Sequence, residues 1–119
     1  MNKPQHFNIS ELEVLSKGDT LFVLKMMEAF CASAPAQLER MREAAGAAAF
    51  EDLAALAHRL QPSFHYLGRP DLSALLAEME DEEKKRTKEE ILAATQDFLA
   101  QVQAVVEEVK AFTETLKNV

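Results

Sequence analysis

Three histidines and a single cysteine are the side chains of this 119-residue chain best suited to nucleophilic or metal chemistry. His58 has the most unusual setting. It lies in "LAHRLQPSFHYLG", Leu56 to Gly68, where apolar residues recur at helical spacing and a proline follows four positions after the ring. With Leu53, Ala57, Leu60, Phe64 and Leu67 on the inward line, His58 falls about 100° round from Ala57, on the flank or the outside. Its neighbours one turn away are Ala54, Ala55, Gln61 and Pro62. The two alanines leave the imidazole above a low surface that another protein can approach. A neutral imidazole nitrogen is a nucleophile near physiological pH. Pro62 has no N–H, so the carbonyl of His58 loses its helical donor, at roughly 3 kcal/mol in an ordinary helix interior. A local bend beside an exposed histidine is either tolerated strain or part of a site.

The other candidates carry less. His65 is two turns further along the same face, about 10.8 Å away, whereas a shared metal ion would need the two histidines one turn apart and a third ligand nearby. It reads as a partner-contact or surface residue. His6 is remote in sequence. No glutamate stands three residues before any histidine, which excludes the inward Glu-x-x-His pairs of a di-iron bundle. No metal or cofactor is expected. Cys31 sits inside an apolar stripe and reads as a small buried hydrophobe in a reducing compartment. The three glycines all fall at helix ends, so no glycine loop cradles a phosphate.

Every long segment repeats at three- and four-residue steps, and none alternates with period two. A short helix starts at Ser10, with Ser10 and Glu13 as a capping box, and stops before Gly18. Asp19 or Thr20 caps a second helix that buries Leu24, Met27, Cys31, Ala34, Leu38, Met41 and Ala45 and ends at Gly46. Pro35 lies inside it with the stripe in phase on both sides, which predicts one kinked helix. The third runs from about Phe50 to Leu67, closed by Gly68. A fourth runs from about Asp71 to Lys84 and buries Leu72, Leu75, Leu76 and Met79, with Pro70 near its first turn.

Thr87 and Glu90 form a capping box for a last helix reaching about Lys117. Its two heptad series are Ile91, Phe98, Val105, Phe112 and Thr95, Val102, Val109, Leu116. At 1.5 Å per residue it is about 45 Å long against about 27 Å for the third, so its end projects past its neighbours or covers the first helix. The pattern predicts an all-α protein: an antiparallel, up-down four-helix bundle with a short additional N-terminal helix. Residues 1–119 form one domain with a helical core of about 9–117. The mixed-charge run from Glu78 to Glu90 reads as a solvated helix end and turn, not a binding site.

Charge narrows the function. Thirteen basic against twenty acidic residues give a net charge of −7. That argues against nucleic-acid binding, which needs a basic patch, and against adhesion to an anionic membrane. The longest charge-free run, Ala29 to Leu38, is ten residues, well short of the roughly 20 that span a bilayer. The start, Met1-Asn2-Lys3-Pro4, has no apolar core of a signal peptide. A cytoplasmic monomer is expected.

The residues Ala57, His58, Leu60, Ser63, Leu67 and Gly68 resemble the signature of histidine-containing phosphotransfer (HPt) domains. That motif runs alanine, histidine, any residue, leucine, lysine, glycine, serine, then a few residues to leucine-glycine. The helix layout, including the acidic stretch Glu78-Met79-Glu80, is similar to that family from about Phe7 to Leu116. The resemblance implies a four-helix bundle that carries a phosphoryl group on His58 between aspartate-bearing receiver domains of response regulators or hybrid kinases. It implies no kinase activity of its own, and a magnesium ion on the receiver only. Arg59 and Gln61 are then candidates to support the phosphoryl group, and Ala54, Ala55, Pro62 and His65 belong to the partner face. Two positions depart from the motif: Gln61 replaces the lysine that screens the phosphoryl charge, and Pro62 replaces the glycine. Gln61 donates a hydrogen bond without a charge. Arg59 is the nearest cation in sequence, though its helical angle points it elsewhere. The alternative from another class is an HPt-like adaptor that binds a kinase or receiver without carrying phosphate.

Overall fold

The computed structural model describes Phe7, Asn8 and residues 10–118, apart from the side chains of Glu11, Leu12 and Leu15. Among the described residues the chain forms five helices: α1 (Ser10–Ser16), α2 (Thr20–Gly46), α3 (Phe50–Tyr66), α4 (Pro70–Glu80) and α5 (Lys88–Lys117). Of the four longer helices, each packs on the next in sequence, and α5 closes the ring against α2. Short connections make neighbours antiparallel, giving the up-down bundle, with α1 set against α2. No helix among the described residues is long and apolar enough to cross a membrane.

The core runs the length of the bundle. Phe64 of α3 lies between Phe30 of α2 and Phe98 of α5, with ring centroids 5.7 and 5.1 Å away and both contacts edge-on. Edge-on pairs at this spacing add to the area they bury. Leu53, Ala57 and Leu60 complete the α3 stripe, and Leu72, Leu76 and Met79 that of α4. The α2 stripe sits one position earlier than its periodicity suggests at three places. Val23, Phe30 and Ala44 are buried, whereas Leu24, Cys31 and Ala45 are half-buried at its edge. Burial still pushes the Cys31 thiol up from its ordinary value. Pro35 lies within an unbroken α2.

Chain ends and turns hold other differences. Asn8, not Ser10, caps α1: its Oδ1 accepts from the Ser10 amide at 2.8 Å and from the Ser10 hydroxyl at 2.6 Å. Asp19 caps α2 through the Phe22 amide, and Thr87 and Glu90 make the reciprocal box that starts α5. Helix α4 stops at Glu80, short of Lys84, because Asp81 turns left-handed (φ 44°, ψ 50°). Its carboxylate then accepts from the amides of Lys85 and Arg86 at 3.0 and 3.2 Å. Aspartate tolerates this backbone and folds local turns around its own side chain. The overhang of α5 is covered: Phe112 meets the buried Phe7 edge-on at 5.7 Å, and Lys117 pairs with Glu28 at 3.2 Å.

Arg69 secures the α3–α4 turn. Its guanidinium holds both oxygens of Asp71, at 2.9 and 2.7 Å, and reaches Gln101 on α5 at 3.1 Å. The hydrogen bond from Arg69 holds the Asp71 carboxyl below its ordinary value of 3.8. A lowered carboxylate stabilises above its unfolded pKa and loses that contribution as pH falls through the folded one. Asp71→Asn is therefore expected to flatten the acid limb of a stability-versus-pH curve below about pH 4, read by urea denaturation.

Gly68 has φ +69°, and the Asn8 amide donates to the neighbouring Leu67 carbonyl as the chain passes over it. A Cβ at 68 would lie 2.6 Å from the Asn8 carbonyl oxygen, whereas one at Gly18 (φ +82°) would meet nothing within 4 Å. Gly18→Ala should cost only the left-handed strain, about 1–2 kcal/mol. Gly68→Ala should cost clearly more and loosen Phe7. Equal losses on urea denaturation would show that Asn8 yields freely.

Candidate functional site

The rotation of α3 that buries Ala57 fully leaves the His58 side chain 76% exposed. Its Nδ1 is 2.6 Å from Oε1 of Glu80, the last residue of α4. Glu80 stands one turn beyond the buried Leu76, so the inward stripe of α4 carries its carboxylate against α3. Only 10% of the Glu80 side chain is exposed. A carboxylate so far out of water needs a donor, and the Nδ1–H of His58 supplies it. We assign the proton to Nδ1 on that ground, which leaves the Nε2 lone pair on the opposite edge of the ring.

An open groove of about 530 Å³ adjoins the ring. His58 and Gln61 form its α3 wall, Glu80 its floor, and Glu82, Lys85 and Arg86 of the α4–α5 loop its far side. The loop is firmly built. Asp81 holds the amides of residues 85 and 86 with its side chain and that of Lys84 with its carbonyl, while the Thr87–Glu90 box fixes the exit. Lys85 pairs with Glu83 at 2.6 Å and Arg86 with Glu78 at 3.6 Å.

His58, Glu80 and Glu82 each offer a ligand atom within 4.8 Å of the others, which is metal-compatible spacing. His58 and Glu82 are exposed, and an ion bound at Nδ1 would displace the Glu80 hydrogen bond.

The residues expected to surround His58 are shared among neighbouring grooves of the α3 surface. Gln61, half-buried, shares the His58 groove. Ala55 and Arg59 line a separate groove against the end of α2, beside Arg40 and Glu43. Arg59 is therefore on the far side of α3 from the His58 groove. Pro62 lines a third, more apolar groove with Met26, Phe30 and Tyr66. Ala54 is half-buried, so only Ala55 of the two alanines stands fully open. His65 is exposed, its ring 6.1 Å from that of Tyr66. His6 lies outside the described residues.

Glu80, Glu82, Lys85 and Arg86 belong to a segment whose charge pattern suggested a solvated helix end and turn; residues 82–90 are exposed as that reading expects, and Glu80 alone departs from it, drawn in beneath His58. One signal was legible. Residue 80 lies four positions past Leu76, so it continues the buried stripe of α4 with a charged group.

These features define a helical bundle that presents an exposed imidazole, that of His58, braced by a carboxylate from the adjoining helix. The family model described as the Hpt domain matches residues 25–112, and the chain belongs to that family. Comparison with curated proteins and with solved structures gives no match. Hpt domains serve histidine phosphotransfer in phosphorelays, interact with receiver domains and kinases, and have no kinase activity of their own.

Removing the Glu80 carboxylate should release the ring. In wild-type protein, ¹H–¹⁵N spectra of the imidazoles recorded at alkaline pH are expected to show the His58 proton on Nδ1. Glu80→Ala should give a mixture of tautomers while circular dichroism stays helical. An unchanged tautomer would mean that Glu80 does not set it.

Proposed function

We propose that this protein is a phosphocarrier in which His58 accepts a phosphoryl group from an aspartyl phosphate on one receiver domain and passes it to an aspartate on another. The observation that carries the reading is the exposed imidazole whose Nδ1 is held 2.6 Å from a nearly buried carboxylate. Nε2 attacks phosphorus, an N–P bond forms, and the P–O bond to the receiver's aspartate breaks with the electron pair leaving on its carboxylate. The ring becomes cationic, with its proton still on Nδ1, and Glu80 stabilises that charge where it develops. Reversal of the step delivers the phosphoryl group to the second receiver. The magnesium ion that neutralises the transferring group belongs to the receiver.

The partner surface is centred on His58 and continues over Ala55, Pro62 and His65 of α3. The groove of Pro62, Met26 and Tyr66 extends it onto α2, where Leu21, Phe22 and Met26 are exposed apolar side chains. Exposed apolar surface of this kind marks contact sites. Cargo and partner both reside in a soluble signalling pathway on this reading, with the protein acting as a monomer.

The reading is tested by incubating the protein with phosphorylated receiver domains and looking for acid-labile, alkali-stable phosphate. Label on the wild type and none on a folded His58→Gln variant is the expected result. Binding of receivers without label would instead favour the non-phosphorylated adaptor, with Gln61 in the lysine position as its explanation. Unfolding of His58→Gln would contradict an exposed site.

A further inference from the structure

The motif lysine that would screen a phosphoryl group is Gln61 in this chain, and Arg59, the nearest cation in sequence, lines a different groove. Five carboxylates line the His58 groove: Glu80, Asp81, Glu82, Glu83 and Glu90. A phosphoryl group on Nε2, carrying up to two negative charges, would stand at the mouth of an acidic groove. Without a cation the product would be penalised by like charge. Two cations line that same groove, Lys85 and Arg86, both from the α4–α5 loop.

We infer that Lys85 takes over the charge-screening role of the absent motif lysine, reaching across the groove from the α4–α5 loop to the phosphoryl group on His58. The inference rests on the reading of His58 as phosphoacceptor. Backbone position favours it, because the Asp81 carboxylate holds the Lys85 amide at 3.0 Å and so fixes where the side chain begins. Pairing favours Lys85 over Arg86. Lys85 is bound to Glu83 in a pair whose side chains are 77% and 74% exposed. Such a surface pair is weak and is readily exchanged for a stronger anion. Arg86 is committed to Glu78 in a less exposed pair, with side chains 39% and 37% exposed. Screening by Lys85 involves no bond to phosphorus; the ammonium leaves Glu83 and hydrogen-bonds a phosphoryl oxygen, keeping its protons.

Phosphoramidate, a small phosphodonor, makes the test independent of any receiver. Wild type, Lys85→Ala, Lys85→Arg, Lys110→Ala and the double variant Lys85→Ala with Gln61→Lys are compared. Initial rates of phosphorylation are measured, and ³¹P spectra follow the second ionisation of the phosphoryl group. Lys85→Ala should slow labelling by roughly 2–5-fold, the range of an exposed charge pair. It should also raise the midpoint of the phosphoryl ionisation, because a nearby cation favours the dianion. Lys85→Arg should keep both values near wild type, and Gln61→Lys should restore them in the double variant. Lys110→Ala, removing the same charge beside Cys31 and away from the groove, should change neither. Wild-type rate and midpoint in Lys85→Ala, with label on His58, would overturn the role of Lys85 alone. A slower rate with an unmoved midpoint would also overturn it, as a merely structural effect. No label on the wild type would remove the phosphoacceptor reading and this inference with it.

Discussion

The seating of Phe64 between Phe30 and Phe98 sets the rotation of α3 about its own axis, and the site follows from that rotation. Six residues separate Phe64 from His58, which places the histidine about 120° from the inward direction at 3.6 residues per turn. Ala57 lies almost directly beneath the Phe64 line and is fully buried. A one-residue shift of the α3 phase in one sense would carry the imidazole to within about 20° of the core, and in the other would turn it further out, losing the Glu80 contact either way. The aromatic cluster thus does for the site what no residue near His58 could do alone.

Rotation settles which way the ring faces, and α4 settles which nitrogen is offered. Because α4 ends at Asp81 rather than continuing to Lys84, Glu80 is held at a helix terminus while the chain turns back immediately beyond it. The same aspartate that ends the helix gathers the amides of residues 85 and 86. Asp81 therefore positions the carboxylate beneath His58 and, together with the left-handed Lys84 (φ 53°), shapes the loop across from it. Pro62 acts from the other side: it removes the amide that would have covered the His58 carbonyl, yet α3 continues through it to Tyr66.

Much of this was legible in the sequence, and the reasons differ by element. Long apolar stripes average over many residues, so the inward lines of α3 and α5 were readable, as was the Thr87–Glu90 box, a local motif with its own hydrogen bonds. The flank of α2 was less so, since Phe30 and Cys31 are both apolar and only the neighbouring helices decide between them. The cap of α1 went to Asn8 because two side chains capable of capping stand close together there. The exposure of His58 follows from phase alone, but its partner does not. Glu80 is 22 positions away, and its charge in an acidic run resembles ordinary solvated surface until α4 is packed on α3. Periodicity describes one helix at a time; the site is a property of two helices and a loop.

The passage of Asn8 over Gly68 has a consequence for how the bundle can be mounted. Gly68 closes the end of α3 some ten residues beyond His58, a distance of about 15 Å along the axis. Phe7 rests there on Phe112, and Lys117 reaches Glu28 near the start of α2. Both described ends of the chain therefore leave from the pole of the bundle away from the imidazole. A tether joined at either end, or at both, would hold the domain like a lamp on a bracket, its lit side turned outward and free to meet successive visitors.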